Sequence, residues 1–136
     1  MNMIGYALSM AKRFYDKDTY DHALRVATYI AENPMIDDEN MEDCIALGIM
    51  HDLWEDTDYP VVPVINNKHF FQCMELLTKP EDMEYENYLT SIKACSHTNP
   101  EAYWVKIADI KDHLSEAGTL TEKVREKYVK ALPCLL

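Results

Sequence analysis

Apolar residues recur at three- and four-residue intervals along most of the chain, which is the spacing of one face of an α-helix. Ala23, Val26, Ala27 and Ile30 show this interval clearly. Polar or proline-containing stretches separate each such segment from the next. The pattern predicts an all-α fold of six or seven helices without strands. The expected segments are approximately Met3–Tyr15, Tyr20–Glu32, Met41–Glu55, Lys68–Leu77, Met83–Ser96, Pro100–Gly118 and Thr119–Leu132.

Local signals define several of the expected helix ends. Asp18 or Thr19 is the expected N-cap of the second helix, because a short polar side chain can accept a backbone hydrogen bond there. Pro100 occupies a favoured first-turn position. The sequence "TLTE" (Thr119–Glu122) has the form of a capping box and opens the last helix. The stretch "DTDYPVVPVINN", with two prolines, is expected to be the least regular part of the chain.

The length and composition favour one globular domain. The chain has 136 residues, of which 48% are apolar, and this suits a single core spanning residues 1–136. The chain contains three glycines and six prolines. So few turn formers argue against a turn-rich all-β fold and favour a compact helical bundle.

The net charge of −11 disfavours binding to nucleic acid or to an anionic membrane, since both require a basic surface. An anionic substrate would therefore need a local positive charge, and a metal ion is one source. No charged-then-apolar leader and no run long enough to span a bilayer is present, so we expect a cytoplasmic protein. The four cysteines form no C-x-x-C pair, and three of them lie inside apolar helical patterns and are therefore expected to be small buried hydrophobes in a reducing compartment. The four are Cys44, Cys73, Cys95 and Cys134.

The third predicted helix ends in a polar cluster. At about 100° per residue, Gly48, His51 and Glu55 lie along one stripe. Asp52 lies beside that stripe, and Asp56 follows Asp52 by one turn. Gly48 leaves room for a close approach. Carboxylates at a helix C-terminus oppose the helix dipole, so they indicate a compensating cation unless this is an ordinary acidic helix end.

The sixth predicted helix carries a similar polar ribbon. Lys106, Asp109 and His113 lie within a narrow sector that apolar residues border on both sides. Such a sector indicates polar groups facing inward, and buried charges must be paired or bind metal. An internal Lys106–Asp109 pair alone is the alternative.

Residues from three predicted helices together form a mixed nitrogen and oxygen donor set. His22 by itself would more often be a capped or packed histidine. A donor set of two imidazoles and two carboxylates suits Mn²⁺, Fe²⁺, Mg²⁺ or an open Zn²⁺ site better than a closed structural zinc site. Glu55 and Asp56 then have a role as base and water-orienting group beside the metal. The four candidate ligands are His22, His51, Asp52 and Asp109.

This pattern resembles the HD-domain phosphohydrolase superfamily, in which a His, a distant His-Asp doublet and a later Asp recur. It is most similar to the hydrolase domain of the RelA/SpoT family and to small stand-alone alarmone hydrolases. The segment "HDLWEDT" resembles the family's H-D-x-x-E-D-T, and "VKIADIKDH" resembles its K-x-A-D segment. "LLTK…YENYLTSI" resembles the stretch in which a Leu-Thr pair precedes a Tyr-containing helix. The resemblance covers about Arg13 to Leu114.

The resemblance implies an all-α fold, one divalent metal ion and hydrolysis of the 3′-pyrophosphate of (p)ppGpp, a small-molecule nucleotide. The metal is usually Mn²⁺, with Fe²⁺, Mg²⁺, Zn²⁺, Co²⁺ or Ni²⁺ as alternatives. Glu55 and Asp56 would activate and orient the attacking water. The implied metal ligands are His22, His51, Asp52 and Asp109. The candidates for substrate binding are Lys106, His113, the pair Lys12–Arg13 and Lys17.

Two departures from the family pattern concern the substrate. The chain has the shorter "DKDTYDH" where the family has a G-x-P-Y loop, and His113 stands where the family has an Asn. Two other functions therefore stay open. One is an HD-type 5′-nucleotidase acting on (deoxy)nucleoside monophosphates, and the other is a non-catalytic metal- and nucleotide-binding module. The apolar tail "ALPCLL" could cap the core or meet another subunit, and the sequence predicts no oligomeric state.

Overall fold

The computed structural model describes residues 2–60, 67–115 and 121–136. These residues form helices and no strand, which confirms the predicted all-α class. Eight helical segments are present in this part of the chain, because the third predicted helix is split in two and its second part is a single turn. They are Met3–Phe14 (α1), Lys17–Ala31 (α2), Asp38–Met50 (α3), Leu53–Asp56 (α4), Lys68–Leu77 (α5), Tyr85–Ala94 (α6), Pro100–Ser115 (α7) and Glu122–Leu135 (α8).

The N-terminal end of α2 differs from the prediction. It begins at Lys17 because Asp16 is the N-cap, and its Oδ1 accepts a hydrogen bond from the Thr19 N–H at 2.8 Å. Neither Asp18 nor Thr19 is the cap. Three acidic or hydroxyl residues compete for this role in four positions, so sequence alone does not select among them.

The start of α8 also differs. Its N-cap is Thr121, whose hydroxyl accepts from the Val124 N–H at 3.2 Å. The predicted capping residue Thr119 lies outside the described residues, as does Gly118, the expected end of the sixth helix. Half of the irregular stretch, residues 61–66, lies outside them too.

A break between α3 and α4 positions two of the candidate ligands. The predicted continuous helix Met41–Glu55 is interrupted at His51 and Asp52, which form a turn. The Gly48 carbonyl accepts from His51 Nδ1 at 2.6 Å, and the Asp52 N–H donates to the Tyr15 hydroxyl at 3.3 Å. The His51 and Tyr15 side chains thus bind the Gly48 carbonyl and the Asp52 N–H, two backbone groups that would bond to each other in a continuous helix.

Helix α3 lies at the centre of the fold and packs mainly against α1, α2 and α7. Gly48 permits its contact with α2. A Cβ at this position would lie 2.5 Å from Ile30 Cδ1 and 3.3 Å from Val26 Cγ1. The close approach that Gly48 allows is therefore helix packing, and this packing sets the distance between α2 and the His51–Asp52 turn.

The C-terminal tail contributes to the core. Ala131 and Leu135 are buried, and the Leu135 carbonyl accepts from the Tyr103 hydroxyl at 2.8 Å. All four cysteines are free thiols, and Cys44 and Cys73 are fully buried. None of the helices in the described ranges is long and apolar enough to cross a membrane.

Candidate metal centre

The four predicted ligands lie together at the centre of the fold. His22 comes from α2, His51 and Asp52 from the α3–α4 turn, and Asp109 from α7. Their potential ligand atoms all lie within 4.8 Å of one another. His22 Nε2 is 2.8 Å and His51 Nε2 is 3.2 Å from Asp109 Oδ1. The same nitrogens are 3.7 Å and 3.2 Å from Asp52 Oδ2.

Both imidazole rings are oriented by hydrogen bonds at Nδ1. His51 Nδ1 donates to the Gly48 carbonyl at 2.6 Å, and a carbonyl oxygen can only accept. His22 Nδ1 donates to Asp112 Oδ2, also at 2.6 Å. With both Nδ1 atoms protonated, each Nε2 faces the Asp109 carboxylate. An Nδ1–H bound to a carbonyl or carboxylate is the usual arrangement of metal-ligating histidines.

This arrangement requires a cation. A neutral imidazole with its proton on Nδ1 presents a lone pair at Nε2, and here that lone pair faces carboxylate oxygens. Without metal, protonation of the rings relieves the repulsion. Burial alone would lower the pKa of His51, but the Asp52 and Asp109 carboxylates outweigh it and raise this pKa to about 9. The pKa of His22 is raised as well, because Asp109 and Asp112 outweigh its burial.

The donor set also fits a divalent metal in size and chemistry. With metal–ligand bonds of about 2.1 Å, adjacent ligands of an octahedral ion lie about 3.0 Å apart and opposite ligands about 4.2 Å apart. The observed separations of 2.8 to 3.7 Å are in this range. Two imidazole nitrogens and two carboxylates suit Mn²⁺, Fe²⁺ or an open Zn²⁺ site.

The predicted polar ribbon of α7 is present. Lys106 Nζ donates to Asp109 Oδ2 at 2.9 Å, and His113 Nε2 lies 3.3 Å from Asp109 Oδ1. Burial would raise the pKa of Asp109, but Lys106 and the surrounding imidazoles hold it well below its usual range. The Lys106–Asp109 pair therefore exists, but it is part of a larger cluster and does not stand alone.

An open cavity of about 420 Å³ lies against this cluster. Glu55 and Asp56 line it, and both are exposed. Glu55 Oε1 accepts a hydrogen bond from the Lys79 N–H at 2.5 Å. Partial burial and the neighbouring Asp52 and Glu55 carboxylates raise the pKa of Asp56. A carboxylate with a raised pKa is a better proton acceptor, which agrees with the predicted role.

Two of the five predicted substrate-binding residues line the cavity, and Lys12, Arg13 and Lys17 do not. Lys106 and His113 are part of its wall. Arg13 and Lys17 are absent from its lining, and their role in substrate binding stays a prediction. Lys17 lies on the first turn of α2, where its side chain is 86% exposed and pairs with Asp21 at 2.7 Å. The Arg13 guanidinium lies over the Phe14 ring, and Lys12 and Lys17 line a separate surface depression.

Sequence reasoning missed several cavity residues that come from other helices. Lys127 and Tyr128 belong to α8, where their pattern carries no signal beyond an amphipathic helix. Lys127 Nζ lies 4.4 Å from the centroid of the Tyr85 ring, and the Tyr128 ring stacks on His113 at 4.5 Å. The cavity wall therefore contains aromatic and cationic side chains in addition to the acidic cluster. The further residues that were missed are Asp18, Thr19, Arg25, Lys79, Tyr88 and Asp112.

Asp112 was missed although its spacing from Asp109 in the sequence could have identified it. It follows Asp109 by three positions and thus lies on the same side of α7. It is fully buried, and its two oxygens accept from His22 Nδ1 at 2.6 Å and from Arg25 Nε at 2.8 Å. An acid one turn from a predicted ligand is a candidate for orienting a ligand histidine.

Comparisons with protein-family profiles and with curated protein sequences give no function to transfer. No protein-family profile matches the chain, and no curated protein sequence matches it. The chemistry of the cluster and its cavity therefore carries the functional inference.

Proposed function

We propose that this chain is a metal-dependent phosphohydrolase of the HD-domain type that acts on a nucleotide. The observation that carries the proposal is the orientation of two imidazoles. Hydrogen bonds fix the Nδ1 atoms of His22 and His51, so that both Nε2 atoms face the same pair of carboxylates. His22, His51, Asp52 and Asp109 would hold the ion. A bound divalent cation supplies charge stabilisation for a phosphoryl group and a lower pKa for water.

Glu55 and Asp56 are the proposed water-activating pair. Both line the cavity beside the ligand cluster, and neither belongs to the ligand set. Asp56, whose pKa is raised, is suited to accept a proton from the attacking water. Glu55 is held by the Lys79 N–H, which fixes the direction of its carboxylate. A pure binding module would not need these two acids.

Lysines from three parts of the chain explain how an acidic chain could bind an anion. Lys79, Lys106 and Lys127 line the cavity, and they come from the loop after α5, from α7 and from α8. Their positive charges would offset the negative charge of phosphate oxygens in the ground state and in the transition state. The formal charge of −11 is therefore compatible with an anionic substrate, because the local charge is what the substrate meets.

The cavity also suits the base or sugar of a nucleotide. Its volume of about 420 Å³ lies within the usual range of roughly 300–1,000 Å³ for small-molecule sites. Tyr85, Tyr128 and His113 provide ring surfaces in its wall. Aromatic rings of this kind stack on nucleobases.

The resemblance to alarmone hydrolases favours (p)ppGpp as the substrate and Mn²⁺ as the metal. Water would attack the phosphorus attached to the ribose 3′-oxygen, the bond from that phosphorus to the 3′-oxygen would break, and pyrophosphate would leave. His113 favours a second candidate, because an imidazole cannot supply the amide contacts of the Asn found there in the family. That candidate is a 5′-nucleotidase that releases inorganic phosphate from (deoxy)nucleoside monophosphates.

The deciding experiment is a hydrolysis assay with Mn²⁺ in which ppGpp and a panel of nucleoside monophosphates are compared and the products identified. Pyrophosphate from ppGpp supports the first reaction, and phosphate from a monophosphate supports the second. Glu55→Gln is the matched variant, and it should lose activity by about 10²-fold or more while it retains metal. If the wild-type chain hydrolyses nothing in the panel, the catalytic proposal is wrong and a binding module is favoured.

A further inference from the structure

A second group of metal-binding side chains lies apart from the cavity, between α5 and the start of α7. His69 and Cys73 are four positions apart on α5, so they lie on one face of that helix, and Glu101 is in the first turn of α7. Cys73 Sγ is 3.9 Å from His69 Nε2 and 3.5 Å from Glu101 Oε2. His69 Nε2 and the same Glu101 oxygen are in hydrogen-bond contact. None of these residues lines the main cavity.

The size of this triangle fits a zinc ion. With Zn–S bonds of about 2.3 Å and Zn–N or Zn–O bonds of about 2.1 Å, a tetrahedral site places the sulfur about 3.6 Å from each of the other ligands. The two distances from Cys73 Sγ agree with this value. The His69–Glu101 contact is shorter, because a hydrogen bond holds these two groups together. A tetrahedral ion would place the two atoms about 3.4 Å apart, so metal binding would replace that bond and separate them by about 1 Å.

Burial raises the pKa of the Cys73 thiol to about 12 in the metal-free chain, so the thiolate would form only with a cation bound beside it, and two hydrogen-bond donors would then stabilise the sulfur. Asn99 Nδ2 donates to Cys73 Sγ at 3.5 Å, and the Ala102 N–H donates to the same atom. The latter is a free amide of the first turn of α7, where the helix dipole also favours negative charge. Hydrogen-bonded outer groups of this kind orient and stabilise metal ligands.

A cation would also stabilise the carboxylates near this cluster. Glu101 is buried, and Asp43 on α3 is half-buried close by. Burial and the carboxylates of Glu42 and Glu101 raise the pKa of Asp43. The His69 imidazole interacts with both Asp43 and Glu101. A divalent ion would stabilise this group more strongly than one half-exposed imidazole does.

We propose that His69, Cys73 and Glu101 bind a zinc ion that links α5 to the start of α7, with a water molecule as the fourth ligand. One nitrogen, one sulfur and one oxygen suit Zn²⁺, whereas Mn²⁺ prefers oxygen-rich sites. The site differs from the main cluster, which contains no sulfur ligand. Zinc binding displaces the thiol proton of Cys73 to solvent, so affinity for the ion should rise with pH.

Cobalt spectroscopy tests this site separately from the main cluster. Co²⁺ bound to a thiolate gives a strong charge-transfer absorption in the near ultraviolet, and a site of histidines and carboxylates does not. Titration of the purified chain with Co²⁺ should produce this band with one equivalent per chain, and Zn²⁺ should abolish it. Cys73→Ser should remove the band, and Cys95→Ser is the matched control that should leave it unchanged. Glu101→Gln should weaken Co²⁺ binding at this site by at least about a hundredfold.

Three results would overturn the proposal. They are the absence of the band in the wild-type chain, its persistence in Cys73→Ser, and its loss in Cys95→Ser. Absence of the band means that the cluster is a buried hydrogen-bonded group and holds no metal. Circular dichroism establishes whether each variant is folded. If Cys73→Ser does not fold, His69→Ala replaces it, because His69 is exposed, and unchanged Co²⁺ affinity in that variant contradicts the assignment.

Discussion

Asp112 offers a sharp test of how the metal centre is held in place. The two oxygens of its fully buried carboxylate accept from His22 Nδ1 at 2.6 Å and from Arg25 Nε at 2.8 Å. Asp112→Asn preserves the shape but leaves one accepting oxygen, so the amide nitrogen must face one of the two donors. His22 then loses either its hydrogen bond or the negative charge that strengthens it.

The size of the effect follows from the role of such outer partners. Loss of a carboxylate that orients a ligand histidine typically weakens metal affinity by about 10- to 100-fold, or roughly 1.4–2.7 kcal/mol. Part of the loss also appears in folding, since a hydrogen bond to a charged group contributes about 1.5–3 kcal/mol. We expect Asp112→Asn to bind Mn²⁺ 10- to 100-fold more weakly than the wild-type chain.

The assay is a calorimetric titration with Mn²⁺, together with urea unfolding of the metal-free proteins. Asp82→Asn is the matched control, because Asp82 is an exposed acid outside the cavity. It should leave both affinity and stability unchanged. A folded Asp112→Asn protein with wild-type Mn²⁺ affinity would refute the reasoning, because the His22–Asp112 contact would then have no part in metal binding.

Three further predictions concern the cavity, the imidazoles and the core. Lys127→Ala should lower kcat/KM about tenfold, because the cavity loses a positive charge that attracts phosphate. Lys123→Ala, on the same helix but outside the cavity lining, should leave kcat/KM unchanged. Equal effects of the two variants in steady-state assays would contradict this prediction. In the metal-free chain the raised pKa of His51 contributes about 3 kcal/mol of stability. This contribution is fully present below pH 6.5 and is lost as the pH rises through about 9. Urea unfolding in EDTA should therefore show a larger free energy of unfolding at pH 6 than at pH 9.5. An absent or opposite change would contradict this prediction. Gly48→Ala should destabilise the chain by about 1–3 kcal/mol through its contact with Ile30, and a stabilised variant in thermal unfolding would show that helix propensity outweighs packing.

The local sequence pattern predicts a feature correctly when that feature depends on a single helix. The bounds of α5 and the polar ribbon of α7 follow from periodicity, and the structure has both. The His51–Asp52 turn was not predictable in this way, because the Tyr15 hydroxyl that binds the Asp52 N–H comes from another segment. Tertiary contacts of this kind override the helical pattern of a single stretch.

The candidate site shows the same division. His51, Asp52 and Asp109 were identified from the polar faces of two predicted helices and His22 because it completes the donor set, and the structure brings the four together. Arg13 and Lys17 were named from the family resemblance alone, and the structure places neither of them in the cavity lining. Lys127 reaches the cavity because α8 packs on α6 and α7, and nothing in the α8 sequence specifies those partners.

The most direct test of the central claim is equilibrium dialysis of the chain against Mn²⁺, with Asp52→Asn as the comparison. Asp52 is half-buried and its side chain makes no helix-capping hydrogen bond, so this variant should fold normally. The proposed centre predicts one Mn²⁺ per wild-type chain and binding at least about a hundredfold weaker in Asp52→Asn. A wild-type chain that binds no Mn²⁺, or a variant that binds it equally well, would contradict the proposed centre.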